Sequence, residues 1–279
     1  MSGTLFLVGV PIGHEEDITV RALNTLKNVS TIVAEDTRKA KRLLSTLGVS
    51  GKNMFSHGNH NEHQTVSRVV ELLLTGENIA YISDAGMPGI SDPGYLLVRA
   101  ALENNIPHVV IPGVTAVTTA ITGSGLACDR FYFHGFLPRK SGERTTTLEN
   151  LTHLPATLLF YEAPHRVLDT LADMAKLWPN RNCVAARELT KTYEEYVRGT
   201  VTEVLQNFTA RKEILGEFTL LIAGASAENT LTTESIETLI QQKLEEGAHA
   251  KDIRDELSSV FSGSKKELYS KILEIKSGL

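Results

Sequence analysis

The residues in this chain best suited to chemistry stand directly after short apolar runs. Glu35 and Asp36 follow Thr31–Ala34 and precede Thr37 and Arg38. A carboxylate in that position can accept a proton or bind a cation. Side chains alternate along a strand, so only one of the pair can face a cleft. Asp36 or Thr37 can equally serve as the N-cap of a following helix. The richest segment runs Ile82-Ser83-Asp84-Ala85-Gly86-Met87-Pro88-Gly89-Ile90-Ser91-Asp92-Pro93-Gly94, with three glycines, two prolines and two aspartates. So many backbone-shaping residues specify one loop conformation. Rigid loops at a sheet edge are where binding residues gather.

Gly9-Val10-Pro11-Ile12-Gly13 and Pro112-Gly113-Val114-Thr115-Ala116 are two further turns after apolar runs. The first lets backbone approach a ligand closely. It is not GxGxxG, which counts against NAD, FAD and the common class of methyltransferase. The second opens a helix with small side chains, and free N–H groups there favour a carboxylate. Three more segments, Phe136–Lys140, Tyr161–Arg166 and Arg187–Lys191, each carry charged residues just past an apolar run. Singly, an exposed Arg–Glu pair contributes little. Three such clusters facing one cleft are harder to dismiss. His165 can act as a base, although a lone histidine near a helix start is more often structural. None of these clusters has the make-up of a metal site.

These segments need strands to present them. Residues 1–113 offer Thr4–Val10, Thr31–Ala34, Asn78–Ser83 and His108–Ile111 as strands, with amphipathic stretches at Ile18–Leu26, Lys39–Leu47, Val66–Leu74 and Leu96–Leu102 between them. Continuous apolar strands alternating with helices imply a parallel or mostly parallel sheet covered on both faces. Residues 114–225 repeat the theme. Arg130–Gly135, Thr157–Tyr161, Cys183–Ala186 and Glu217–Ala223 read as strands, and Val167–Leu177 and Val201–Phe208 as helices. The reading is thus an α/β fold with domains at 1–113 and 114–225 and a helical tail at 226–279. In the tail, Ser264-Lys265-Lys266-Glu267 is a capping box after a Ser262-Gly263 turn. That arrangement suits either a helix-turn-helix or, more simply, a helical appendage packed on the body.

Composition narrows the classes. The chain has 279 residues, 28 basic and 33 acidic side chains and a net charge of −5. A globally basic nucleic-acid coat is excluded. Any polyanion contact must be local, and Arg38-Lys39-Ala40-Lys41-Arg42 is the best cluster, with Arg139, Lys140 and Arg144 as further candidates for a positive rim. Cys128 and Cys183 stand apart, which points away from a disulfide framework and toward a reducing cytoplasm. No apolar run is long enough to span a membrane, and the N-terminus reads as a strand and not a signal peptide.

In this order and spacing, Pro11-Ile12-Gly13, Glu35-Asp36-Thr37-Arg38, Ser83–Gly94, Phe136–Lys140 and Tyr161–Arg166 resemble the small-subunit ribosomal RNA methyltransferase I family. That family lies within the tetrapyrrole-methylase (class III) group of S-adenosylmethionine enzymes. The resemblance implies two α/β domains with the cofactor in the cleft between them, and a homodimer acting on small-subunit (16S) ribosomal RNA or the 30S subunit. The implied reaction is 2′-O-methylation of a cytidine ribose in the decoding region. Carried over by resemblance, Pro11, Asp84, Ala85, Gly86, Met87, Ile90, Thr115 and Ala116 line the methionine and ribose side. Tyr161, Leu189 and Ala223 border the adenine. His14, Met87 and Val114-Thr115 depart from the family's usual Asn, Thr and Pro-Ser. Glu35, Asp36 and Glu162 are candidates for accepting the hydroxyl proton, with Arg38, Arg166 and Lys191 positioning phosphate or lowering a neighbour's pKa. Two other readings stay open: a tetrapyrrole methyltransferase of the same fold, and a non-enzymatic RNA-binding ribosome-assembly factor.

Overall fold

Four-residue runs make the first sheet. In the computed structural model, which describes residues 2–58, 62–225, 233–258, 261 and 264–278, β1 (Leu5–Val8), β2 (Thr31–Ala34), β3 (Asn53–Ser56), β4 (Ile79–Ile82) and β5 (His108–Ile111) lie parallel in the order β3-β2-β4-β1-β5. β2 and β4 are buried at every residue. Alternation along the strands divides their side chains between two cores. Ile32 and Ile82 pack against α1 (Val20–Asn28) and α2 (Thr37–Thr46), through Ala22, Leu26, Ala40 and Leu44. Val33 and Tyr81 pack against α3 (Glu62–Leu74) and α4 (Tyr95–Glu103), through Val69, Leu73, Leu97 and Ala101.

α5 (Ala116–Ser124) leads to a second sheet of β6 (Phe131–Phe136), β7 (Thr157–Glu162), β8 (Asn182–Arg187), β9 (Glu195–Thr200) and β10 (Phe218–Ile222), in the order β6-β7-β10-β8-β9. The expectation that the parallel theme repeats is corrected here. Only β6–β7 is parallel; β7–β10, β10–β8 and β8–β9 are antiparallel. The segment between β8 and β9, residues 188–194, is too short for the crossover that a parallel neighbour requires. β10 runs opposite to both β7 and β8, so β6, β7 and β8 all end at one edge, where β10 begins. α6 (Ser141–Leu151), α7 (Val167–Leu177) and α8 (Val201–Thr209) cover one face, and α5 covers the other.

The tail helices α9 (Thr233–Glu245), α10 (Ala250–Leu257) and α11 (Lys265–Gly278) bury Ile236, Ile240, Ile253, Leu257, Leu268 and Ile272 in a small core of their own. The Ser264 hydroxyl accepts from Glu267 N (3.2 Å), and the Glu267 carboxylate accepts from Ser264 N (2.6 Å), which is the capping box. The Ser262-Gly263 turn lies outside the described residues. Among those residues, no helix is long and apolar enough to cross a membrane.

Candidate functional site

The loops that follow β1, β4 and β5 meet the converging edge of the second sheet. A cavity of about 440 Å³ lies between them. In open α/β sheets the carboxyl ends of strands are where ligands bind. Here both halves contribute to one space.

The first wall is backbone-rich. Val10 N donates to Gly86 O (2.9 Å) and Gly86 N to Val10 O (3.1 Å), tying the β1 and β4 loops together. Gly9 and Gly113 pass so closely that a Cβ on Gly9 would lie 2.8 Å from the Gly113 Cα. Gly86 has a left-handed backbone (φ 73°), which only glycine adopts freely. Beyond it, the buried Tyr81 hydroxyl donates to Pro93 O (2.9 Å) and Gly89 N donates to the same carbonyl (3.1 Å). The loop is therefore braced from below. The Thr115 side chain N-caps α5 by accepting from Thr118 N (3.1 Å).

The second wall is more apolar. Tyr161 makes edge contacts with Phe133 and Phe136, at 4.8 and 5.6 Å between ring centroids. Leu189 sits between Glu188 and Thr190, which both have positive φ (50° and 63°). Non-glycine residues in that region store strain and cluster at functional sites. Lys191 Nζ is held by Glu188 (2.9 Å) and Glu217 (2.8 Å). The two walls join where His14 N donates to the Thr190 hydroxyl (3.0 Å) and Gly13 packs directly on residues 189–191.

Of the residues expected around a cofactor, Ala85, Gly86, Met87 and Ile90 line the cavity from the first wall, Thr115 and Ala116 from the start of α5, and Tyr161 and Leu189 from the second wall. Three do not. Pro11 is buried behind the surface and Ile12 takes its place. Asp84 turns its carboxylate toward α2, accepting from Asp36 N (3.0 Å) and Lys39 Nζ (2.7 Å). Ala223 lies at the far edge of the sheet, donating its N–H to Asn182 O at the start of β8 (2.8 Å). Because β10 is antiparallel to its neighbours, its first residues, Phe218 and Thr219, border the cavity instead. Ala223 is about 13 Å further along the strand at ~3.3 Å per residue.

The proton-transfer candidates are sorted just as sharply. Tyr161 faces α5, so strand alternation sends Glu162 to the opposite face. There its carboxylate is fully buried and accepts from the Thr170 hydroxyl (2.6 Å) and Ala163 N (2.9 Å). Arg166 pairs with Glu162 (3.4 Å) and donates to the carbonyls of Leu137 (2.8 Å) and Pro138 (3.1 Å). Both residues brace the wall from behind, and neither presents its charge to the cavity. Asp36 is the N-cap of α2, accepting from Arg38 N (2.8 Å), and the Arg38 guanidinium holds its carboxyl well below the usual range. Asp36 and Arg38 both lie outside the cavity lining. Glu35 also lies outside it, with its pKa raised first by burial and then by Asp84. Lys191 does line the cavity.

Residues outside the expected cofactor-binding and proton-transfer sets complete the site. Asp92, Phe136 and His165 all line the cavity. Asp92 and His165 were visible within their motifs, but nothing in the pattern said which loop side chains point inward. Burial, and then the charges of Glu35 and Asp84, push Asp92 up to about 7, while Ser83 and Lys39 pull it down. On the outer surface Arg38 is 90% exposed, and Lys41, Arg42, Arg139 and Lys140 are exposed as well. Arg144 is corrected out of that rim. It is buried, bound to Asp173 (2.5 Å), and it also donates to Arg139 O (3.1 Å). Among the described residues, no group of three or more His, Cys, Asp or Glu side chains is placed to hold a metal ion.

Comparison with known proteins gives this geometry a setting. The profile of the Tetrapyrrole (Corrin/Porphyrin) Methylases matches residues 4–205. A protein of Streptococcus pyogenes serotype M1 named Ribosomal RNA small subunit methyltransferase I is 40% identical over 277 residues, covering 98% of this chain and 96% of that protein. A protein of the same name from Halalkalibacterium halodurans is 47% identical over 222 residues, covering 80% and 76%. Among solved structures, uroporphyrin-III C-methyl transferase from Thermus thermophilus, complexed with S-adenyl homocysteine, aligns with a TM-score of 0.57 at 19% identity, over 78% of this chain and 97% of that one. Diphthine synthase aligns with a TM-score of 0.62 at 14% identity, over 79% and 90%. The structural likenesses speak for the fold.

Proposed function

The chain belongs to the tetrapyrrole methylases and, within them, to the small-subunit ribosomal RNA methyltransferase I family; on that premise we propose that it methylates the 2′ hydroxyl of a cytidine ribose in the decoding region of small-subunit ribosomal RNA, with S-adenosylmethionine as the donor. The observation that carries the reading is the composite cavity, with a backbone-rich wall from one half of the chain and an apolar wall from the other. A Cβ on Gly86 would project to within 3.3 Å of Ile12 Cγ2 and 3.5 Å of Val114 O, so glycine keeps that cradle open. The N-terminal end of α5, where Thr115 and Ala116 line the cavity, carries the positive end of the helix dipole and suits the donor's carboxylate. Tyr161, Leu189 and Ala186 offer the apolar surface that a purine ring needs.

When bound, the sulfonium supplies a methyl group already activated for direct displacement. What remains for the protein is positioning. The reciprocal Val10–Gly86 bonds, the braced loop over Tyr81 and the Gly13 contact on 189–191 hold both walls in fixed relation. Such preorganisation is the main contribution a site can make to an in-line transfer. Arg38, Lys41, Arg42, Arg139 and Lys140 give RNA phosphates a local partner on an acidic protein. Phe136, 53% exposed at the cavity mouth, gives an unstacked base a surface. Edge strands β5 and β6 leave Val110, Phe131 and Tyr132 exposed, which supports the homodimer that the family resemblance implies.

Incubation with methyl-labelled donor tests the reading, using unmodified small subunits beside a corrin or sirohaem precursor. Label in the ribosomal RNA is the expected result. Label only in the tetrapyrrole refutes it, and donor binding without transfer to either acceptor assigns the protein to non-enzymatic RNA binding.

A further inference from the structure

Among the described residues three acids line the cavity: Asp92, Glu162 and Glu217. Glu162 turns its carboxylate into the core behind the wall, onto Thr170. Glu217 is paired with Lys191 at the outer rim, its side chain 79% exposed. Among the described residues no cation forms an ion pair with Asp92, which has the Ser83 hydroxyl as a hydrogen-bond partner and feels Lys39 from further away. We propose that Asp92 is the catalytic residue that accepts the hydroxyl proton of the acceptor as the methyl group is transferred; this rests on the methyl-transfer reading above.

Its placement is specific. Asp92 follows Ser91, a non-glycine residue with a left-handed backbone (φ 62°), and precedes Pro93, whose carbonyl is gripped by Tyr81 and Gly89. Strain of this kind persists only where surrounding structure over-determines it. Across the cavity, β6 breaks register between Phe133 and Gly135, and Gly135 adopts φ 83°. A Cβ there would stand 3.1 Å from the Ser91 hydroxyl oxygen. The bulge therefore admits the Ser91–Asp92 corner against the second wall.

The groups around the carboxylate fix its behaviour. Glu35 follows β2, Asp84 and Ser83 follow β4, Lys39 lies on α2, and Tyr81 and Tyr161 approach from β4 and β7. Burial and the two carboxylates together push Asp92 up to about 7. A base whose proton affinity matches the working pH is the most effective one. In the step itself the acceptor O–H proton passes to the Asp92 carboxylate and the oxygen lone pair forms the O–C bond. The C–S bond breaks with its electron pair on sulfur, converting the sulfonium donor to a neutral thioether. Asp92 then returns the proton to water.

The test is Asp92→Asn, measured by single-turnover transfer to unmodified small subunits, by calorimetric binding of S-adenosylhomocysteine, and by thermal melts. Expected are a loss of transfer of about 10²–10⁴-fold, thioether affinity within about threefold of wild type, and no rise in rate with pH near 7, where wild type should have one. The melts read the carboxylate without activity. An acid whose pKa is raised on folding adds stability at low pH and loses it as pH rises through the folded value. Asp92→Asn should therefore gain on wild type between pH 5 and pH 8 if Asp92 titrates as described. Should that variant not fold, Asp92→Glu must keep the pH-dependent rise. Transfer within about fivefold of wild type, an unchanged pH profile, or thioether binding lost in step with transfer would each overturn the role. Absence of transfer by wild type would overturn the reading beneath it instead.

Discussion

Gly13→Ala probes the joint between the two walls. A Cβ at Gly13 would lie 2.5 Å from Lys191 Cγ, 2.6 Å from Thr190 Oγ1 and 2.9 Å from Leu189 O. Ordinary carbon contacts begin near 3.4 Å. The 189–191 loop must then retreat by roughly an ångström, and overpacking of that size costs about 1–3 kcal/mol. Thr190 also accepts the hydrogen bond from His14 N, and Leu189 and Lys191 line the cavity, so the retreat opens the site. If opening relieves the strain, the whole amount is lost from donor affinity, a weakening of about 5–150-fold at 1.4 kcal/mol per tenfold. Whatever is not relieved lowers the melting temperature by about 2–4 °C per kcal/mol. Calorimetry with S-adenosylhomocysteine and thermal melts on the same samples account for both terms. Gly142→Ala is the control, since a Cβ there meets nothing within 4 Å. Wild-type affinity together with wild-type melting in Gly13→Ala refutes the claim that this contact sets the cavity.

Lys41→Glu combined with Arg42→Glu should weaken RNA binding and leave thioether binding unchanged, because both side chains are exposed and lie outside the cavity. A salt titration reads it: each lost phosphate contact lowers the slope of log affinity against log salt by about one. Arg144→Ala takes the guanidinium from the buried Asp173 carboxylate, which keeps Lys176 (2.8 Å) and the Ser141 hydroxyl (2.8 Å), and it releases the Arg139 carbonyl, so denaturant unfolding should show a loss of about 1–3 kcal/mol.

What the sequence exposed and what it hid follow from packing. β2 and β4 were legible because both faces are covered, leaving unbroken apolar runs. β3 and β9 are edge strands, with Asn53 and Ser56 at the ends of one and Glu195 and Arg198 within the other, so neither shows a clean pattern. α6 was missed because its inward face is Arg144 and Leu148, and a charged residue satisfied by a distant Asp173 leaves no apolar stripe. The glycine and proline motifs named the cavity loops correctly because they act locally. Nothing in the loop pattern singled out Asp92, whereas Glu162 turns its carboxylate from the cavity and Ala223 lies far along β10 for one shared reason. Which face a strand residue takes, and which end of a strand meets the cleft, depend on neighbours far away in sequence.

The most direct measurement is the chemical position of the methyl group. Unmodified small subunits labelled by this protein, digested to nucleosides and resolved by mass spectrometry, should yield 2′-O-methylcytidine as the single labelled product, arising from the decoding region. Label on a base, or no label in ribosomal RNA above that of a heat-inactivated control, would contradict the account.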